Sequence, residues 1–257
     1  MATTGRIAEQ GGVRAAETAL RVLETVAWAG EPVGVTQIAA AVGGSKGAIF
    51  RHLLTLTERG YLVQERDSGR YRLGARAFLI AHLAPPAWDL ARVLEPPMRE
   101  ARDVTGLAVV LSTPTPAGAL VIATLHGTMP IEIGVRPGSE LPRHASAQGK
   151  IFSALGAPSP SHGMLPRFTA HTITEAAALA QELSRVRRAG YAVAPEEAVL
   201  GVNALAMAVR DHADAVVAAV ALVGSIQHIA AKPSAALRAT IAKLAAQASR
   251  LLGSRRA

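Results

Sequence analysis

The chain has 257 residues, half of them apolar, with a formal charge of +8 and no cysteine. That much apolar material is enough for a packed core, which excludes a disordered chain; the lack of cysteine excludes disulfide scaffolds, thiol catalysis and thiolate metal sites and suits a reducing compartment. The longest strongly apolar run, Ala215 to Val223, falls well short of the roughly 20 residues of a spanning helix, and Met1 to Gly12 lacks the hydrophobic stretch of a signal peptide, so a soluble cytoplasmic protein with no membrane partner is expected.

Residues 13–29 (VRAAETALRVLETVAWA) set Ala16, Leu20, Leu23 and Val26/Ala27 at helical spacing, and Gly30-Glu31-Pro32 ends that helix. VTQIAAAV predicts a short second helix with Val35, Ile38, Ala39 and Val42 on one face. Gly43-Gly44 forms a tight turn, Ser45 an N-cap, and the third helix turns Ile49, Leu53 and Leu56 inward until Gly60 stops it. Two short extended runs in YLVQERDSGRYRLG are joined through Asp67-Ser68-Gly69. Helix, helix, glycine turn, helix and hairpin is the order of a winged helix-turn-helix.

The charge within this unit points to an anionic partner. Between Lys46 and Arg76 lie seven cations (Lys46, Arg51, Arg59, Arg66, Arg70, Arg72, Arg76) against three anions (Glu58, Glu65, Asp67), a stripe able to neutralise phosphates. The face of the third helix opposite its apolar stripe carries Lys46, Gly47, Ala48, Arg51, His52 and Thr55, and a helix of this kind fits the major groove. The N–H groups around Ser45 favour a phosphate, and Arg70 and Arg72 alternate about Tyr71 so that both can track a backbone. With Thr36 on the second helix, these are the candidate contacts to double-stranded DNA. The bland alternative is a solvated face.

GARAFLIAHL predicts a linker helix from Gly74 to about Leu83, stopped by Ala84-Pro85-Pro86. Another helix spans Leu90 to Thr105, with Pro97 as an early-turn residue or a kink. The period then changes to that of strands in LAVVLS (107–112), GALVIATL (118–125) and PIEIGV (130–135). Helices over Ala147 to Leu155 and Glu175 to Ala189, strands at YAVA, VNALAMAV (202–209) and AVVAAVALV (215–223), and a closing helix from Pro233 to Leu252 complete the chain. The expected fold class is α+β in two domains: a winged helix-turn-helix over 1–74, a linker helix over 75–90, and an antiparallel-sheet domain over 91–257.

Taken together, AAETALRVLETVA, VTQIAAAVGGSKGAIFRHLLTLTERGYLVQERDSGRYRLG, LPRHASAQGKIFSAL, ELSRVRRAGYAVAPEEAVLGVNALAMAV and AVVAAVALVGS resemble, in order and spacing, the IclR family of bacterial transcription regulators over nearly the whole chain. The resemblance implies a DNA-reading head, a C-terminal GAF-like domain that binds a small-molecule effector, and dimers or tetramers on a pseudopalindromic operator, with repression the expected sense of control. Gly47 and Ala48 stand where the family commonly has Ser and Thr, which alters the expected operator. The implied effector pocket is a bowl lined by Ile131, Ile133 and Leu141, by His144, Ala145, Ser146, Ala147 and Gln148, by Val202, Asn203 and Ala204, and by Ala221 and Val223. Members that hold small carboxylates typically carry Ser at the last two positions, Cys near Ala204 and Asp near Ala194. Here Ala, Val, Ala and Ala stand there, so a buried carboxylate would lack partners and the ligand is expected to be larger, mostly apolar or aromatic, with one or two polar ends.

Other motifs carry less. Gly43-Gly44-Ser45-Lys46-Gly47 matches the nucleophile-elbow spacing, but that motif needs a preceding strand and a parallel sheet. None of the eight histidines (52, 82, 126, 144, 162, 171, 212, 228) stands at i+3 or i+4 from another, so neither a metal nor another cofactor is expected. Adjacent Glu196 and Glu197 should point apart, Lys150 should support the pocket or a subunit contact, and Arg185, Arg187 and Arg188 should answer a helix dipole. The chain is therefore read as a regulator, not an enzyme. The alternatives are a hydrolase-like enzyme with an appended winged helix, or a DNA-binding protein whose C-terminal domain is blind to effector.

Overall fold

The computed structural model describes residues 13–83, 90–131, 133–156 and 165–254. The stop expected at Ala84-Pro85-Pro86, the N-terminal Met1 to Gly12, Glu132 and His162 lie outside the described residues, as does the side chain of His82. The chain divides into two compact units, one within residues 1–86 and one within 87–257.

In the first unit, α1 (Arg14–Trp28), α2 (Val35–Val42) and α3 (Lys46–Glu58) pack around Val22, Val26, Ile38, Ile49 and Leu53, and β1 (Leu62–Gln64) pairs antiparallel with β2 (Tyr71–Leu73). α4 (Ala75–Leu83) follows. The inward row of α1 is Val22 and Val26 with Leu23 beside them; Leu20 is 58% exposed and Ala16 and Ala27 face solvent. α1 carries two apolar rows, and spacing alone does not choose between them; the side chains of α2 and α3 accept the valine row. Val33, between α1 and α2, exchanges two 2.9 Å backbone bonds with Tyr71, which ties the hairpin to the helices. Gly74 closes the hairpin against the end of α3: a Cβ there would sit 2.4 Å from the Gly60 carbonyl oxygen.

The second unit is a six-stranded antiparallel sheet in the order β5-β4-β3-β8-β7-β6, made of β3 (Ala108–Pro114), β4 (Gly118–Leu125), β5 (Glu140–Pro142), β6 (Tyr191–Val193), β7 (Val202–Arg210) and β8 (Val216–Ser225). One face packs large residues (Val109, Leu111, Leu205, Val220, Leu222) against α5 (Leu90–Thr105) and α8 (Ala235–Leu251). The other is rich in alanine (Ala108, Ala206, Ala219, Ala221) and carries α6 (Ala147–Leu155) and α7 (Ala176–Ala189), whose Ile151, Phe152 and Val186 fill the layer. Covering on both faces explains why β8 reads as an unbroken apolar run rather than an alternating one.

Two expectations change. The described residues of 130–135 form no strand; Gly134, Pro137 and Gly138 bend the segment, which meets β4 through scattered bonds such as Gly138 N–H to Val121 C=O. The edge of β4 is taken instead by β5, in the register Gly118↔Pro142 and Leu120↔Glu140. Pro97 is not an early-turn residue: with Pro96 it lies mid-way along α5, where it is buried in the stripe Leu90, Leu94, Pro97, Met98 and Ala101.

Candidate functional site

Two surfaces collect the candidate residues, one in each unit. In the first unit the Ser45 hydroxyl accepts from the Ala48 N–H and starts α3, and Gly43, in the left-handed region at φ 78°, ends α2 just before it. With Ile49 and Leu53 buried, α3 turns Lys46, Gly47, Arg51 and Thr55 outward, while Ala48 and His52 are half-buried on its flank. Thr36 on α2, and Arg70 and Arg72 on the hairpin, are exposed as well. Arg70 Nη1 lies 3.3 Å from the Pro32 carbonyl oxygen and Arg72 Nε 3.7 Å from Glu65, so both hairpin arginines are steadied; Lys46 and Arg51 make no ion pair among the described residues. The outward face also shows Phe50 and Leu54, which residue type alone assigned to no role. Exposed apolar side chains between cations suit thymine methyl groups.

In the second unit a cavity of about 110 Å³ opens at the first turn of α6. Leu141, Ala145, Ser146, Ala147, Gln148, Val202, Asn203, Ala204 and Val223 line it, together with Val135, Ala194, Ala198 and Val199. The last two belong to the turn after β6, an apolar stretch between Glu197 and Gly201 that no motif marks and in which Val199 is exposed. The remaining candidates lie elsewhere. Ile131 is 86% exposed and, with Ile133, lines a neighbouring cavity, because segment 130–135 is not a strand against the bowl. Ala221 is fully buried beneath α6. His144 turns away: its Nε2 is 2.9 Å from the Pro166 carbonyl oxygen and its ring packs near Phe168.

The polar inventory of the cavity is short. The Ser146 hydroxyl caps α6, accepting from Gly149 N–H and donating to the Pro142 carbonyl. Gly149 is required there, since a Cβ would lie 2.5 Å from the Pro142 oxygen and 2.6 Å from that of Arg143. Asn203 is committed too: its Oδ1 accepts from the N–H groups of Ala194 and Ala204, and its Nδ2 donates to the carbonyls of Ile229 and Ala230. Gln148 is different, for its side chain is almost wholly buried and its Nε2 has no partner.

Behind this wall lies a charged cluster. Fully buried Lys150 donates to the Val193 carbonyl and to Glu197 Oε1, with Glu182 at 3.7 Å; Arg185 forms a two-pronged bond to Glu182, so it answers a carboxylate rather than a helix end. Burial pushes the Glu197 carboxyl above the usual carboxylate range against the pull of Lys150. At Glu182 burial acts in the same sense, but Arg185 and Lys150 together outweigh it and hold that carboxyl low. Glu196 points the other way, accepting from Gly201 N–H with its backbone at φ 57°. Among the described residues no three His, Asp or Glu side chains gather in a metal-binding group.

Comparison with known proteins agrees with this layout. Residues 15–66 match the IclR helix-turn-helix domain, and residues 84–250 match the family described as bacterial transcriptional regulator IclR C-terminal. The chain is 30% identical over 250 residues to the glycerol operon regulatory protein of Streptomyces griseus, covering 95% of this chain and 98% of that one. It is 26% identical to the transcriptional repressor IclR of Escherichia coli K12, covering 85% and 82%. Among solved structures, an IclR homolog of Microbacterium hydrocarbonoxydans complexed with 4-hydroxybenzoate superposes with a TM-score of 0.74 at 23% identity, covering 93% of this chain and 98% of that chain.

Proposed function

Since this chain belongs to the IclR family of bacterial transcription regulators, we propose that it is a repressor whose winged helix reads a pseudopalindromic operator and whose second unit releases or retains DNA according to a small-molecule effector. The carrying observation is the outward face of α3: Lys46, Arg51 and Thr55 stand opposite buried Ile49 and Leu53, at a capped helix start, with Arg70 and Arg72 on the adjoining hairpin. Cations in that arrangement hold phosphates on either side of a groove, and a helix of this size enters the major groove. Repression is favoured by the names of relatives such as the acetate operon repressor of Salmonella typhimurium.

The effector is an apolar or aromatic compound with an electron-rich polar end. The lining of the α6 cavity is apolar, the Gln148 side chain in it carries a buried Nε2 with no partner, and the positive end of the α6 dipole favours an acceptor. At about 110 Å³ it is smaller than the roughly 150 Å³ cavity that accepts benzene, so it holds at most a single ring. The apolar face of α4, with Phe78 and Leu83 each 72% exposed, supports self-association, which two half-sites require. Among the described residues no helix is long and apolar enough to cross a membrane.

Fluorescence anisotropy on duplex from immediately upstream of the protein's own gene tests this reading across a salt series. The expected result is preference over random duplex, a steep negative dependence of log K on log salt, and at least ~10-fold loss in Arg51→Ala with the slope reduced by about 1. Equal binding to random duplex, or unchanged binding by Arg51→Ala, would show that α3 is not the reading element.

A further inference from the structure

The cavity at α6 has a neighbour on the same wall. That second cavity holds about 220 Å³ and is lined by Met129, Ile133, Ser225 and His228 among others. Val223, near the end of β8, lines both, and the segment after β4 gives Ile133 to one and Val135, two residues on, to the other. Small-molecule sites usually begin near ~300 Å³, which neither cavity reaches alone and the pair together does.

Each cavity also has a polar end. Gln148 Nε2 is buried without a partner in the first. In the second, Ser225 Oγ and His228 Nδ1 stand 2.8 Å apart, and His228 is exposed. Once Nδ1 is engaged by the hydroxyl, Nε2 is left to donate or accept according to tautomer. The pair can therefore meet a hydroxyl or a carbonyl at no cost to the folded chain.

We propose that the two cavities form one effector site divided by the Val223 side chain, and that the ligand is an elongated, mostly apolar molecule with a polar group at each end. Gln148 takes an acceptor oxygen at one end, and Ser225 with His228 takes a hydroxyl or carbonyl at the other. This rests on the effector reading above and specifies its ligand. A single-ring compound fills only the α6 cavity; a two-ring compound turns Val223 aside and reaches the second.

The test uses the full chain with labelled Ile, Leu, Val and Met methyl groups, titrated in the NMR spectrometer with 4-hydroxybenzoate and, separately, with 4′-hydroxybiphenyl-4-carboxylate. The two-ring probe is expected to shift the Met129 and Ile133 methyls and those of Val135 and Leu141 along one isotherm, with affinity at least ~10-fold above that of the single-ring probe. His228→Ala, a change on the surface, should abolish that advantage and leave the single-ring affinity unaltered. If the single-ring probe binds at Val135 and Leu141 while the two-ring probe moves only one set, or moves the two sets along separate isotherms, the joined site is overturned and the effector reading stands. If neither probe moves either set, both are overturned.

Discussion

Gln148 and Asn203 are both buried amides beside the α6 cavity, and their hydrogen bonds separate their roles. Asn203 joins the loop after β6 to the segment at Ile229 and Ala230, so replacing it strips partners from several main-chain groups. Gln148 leaves its Nε2 idle, so the fold gains nothing from it there. Gln148→Leu, similar in volume, should leave thermal stability unchanged or raise it by up to ~1 kcal/mol while abolishing effector-dependent release in the anisotropy assay. Lost stability together with an intact response would assign Gln148 to the core. In the first unit, Phe50 went unassigned from sequence because aromatic residues are usually core; its exposure came from the turn of α3 about Ile49 and Leu53.

Among elements, α6 does most to shape the second unit, since its first turn both forms the cavity wall and carries Lys150. Removing that cation leaves Glu197 buried and beside Glu182, so Lys150→Met should cost ~3–5 kcal/mol at neutral pH. The sign with pH follows from the raised Glu197 carboxyl. A carboxyl raised on folding contributes stability that is complete below its unfolded value and lost as pH rises through the folded one. The variant should therefore melt higher at pH 5 than at pH 7.5, by calorimetry; equal melting temperatures would remove Glu197 as the cause. The bounds of α6 and β4 were legible because Pro, Gly and Ser punctuate them, and β7 and β8 because of their apolar runs. β5 was not: it is three residues ending in proline, held in place by the β4 edge rather than by any pattern of its own. The wall of the α6 cavity was legible where a motif marks α6, and illegible at Ala198 and Val199, which reach it only through the turn set by Glu196 and Gly201.

For the whole molecule, the proposed reading of a pseudopalindromic operator by two winged helices makes binding sensitive to the helical phase of the two half-sites. Inserting 5 base pairs between half-sites turns one half-site by about half a turn of duplex, so affinity should fall toward that of a single half-site, and a 10-base-pair insertion should restore part of it. Indifference to both insertions in the anisotropy assay would mean that single heads bind independently. The alanine-lined face of the sheet bears on how such a regulator acquires new inducers. Ala206, Ala219 and Ala221 sit fully buried under α6, where a larger side chain would force the layers apart and a smaller one hardly exists. Larger side chains are thus poorly accommodated at that face, and under the effector reading proposed above the chemistry the protein can come to sense is set in the turns and the helix tip, at Val135, Leu141, Gln148 and Val199, where one substitution redraws the cavity and leaves the sheet untouched.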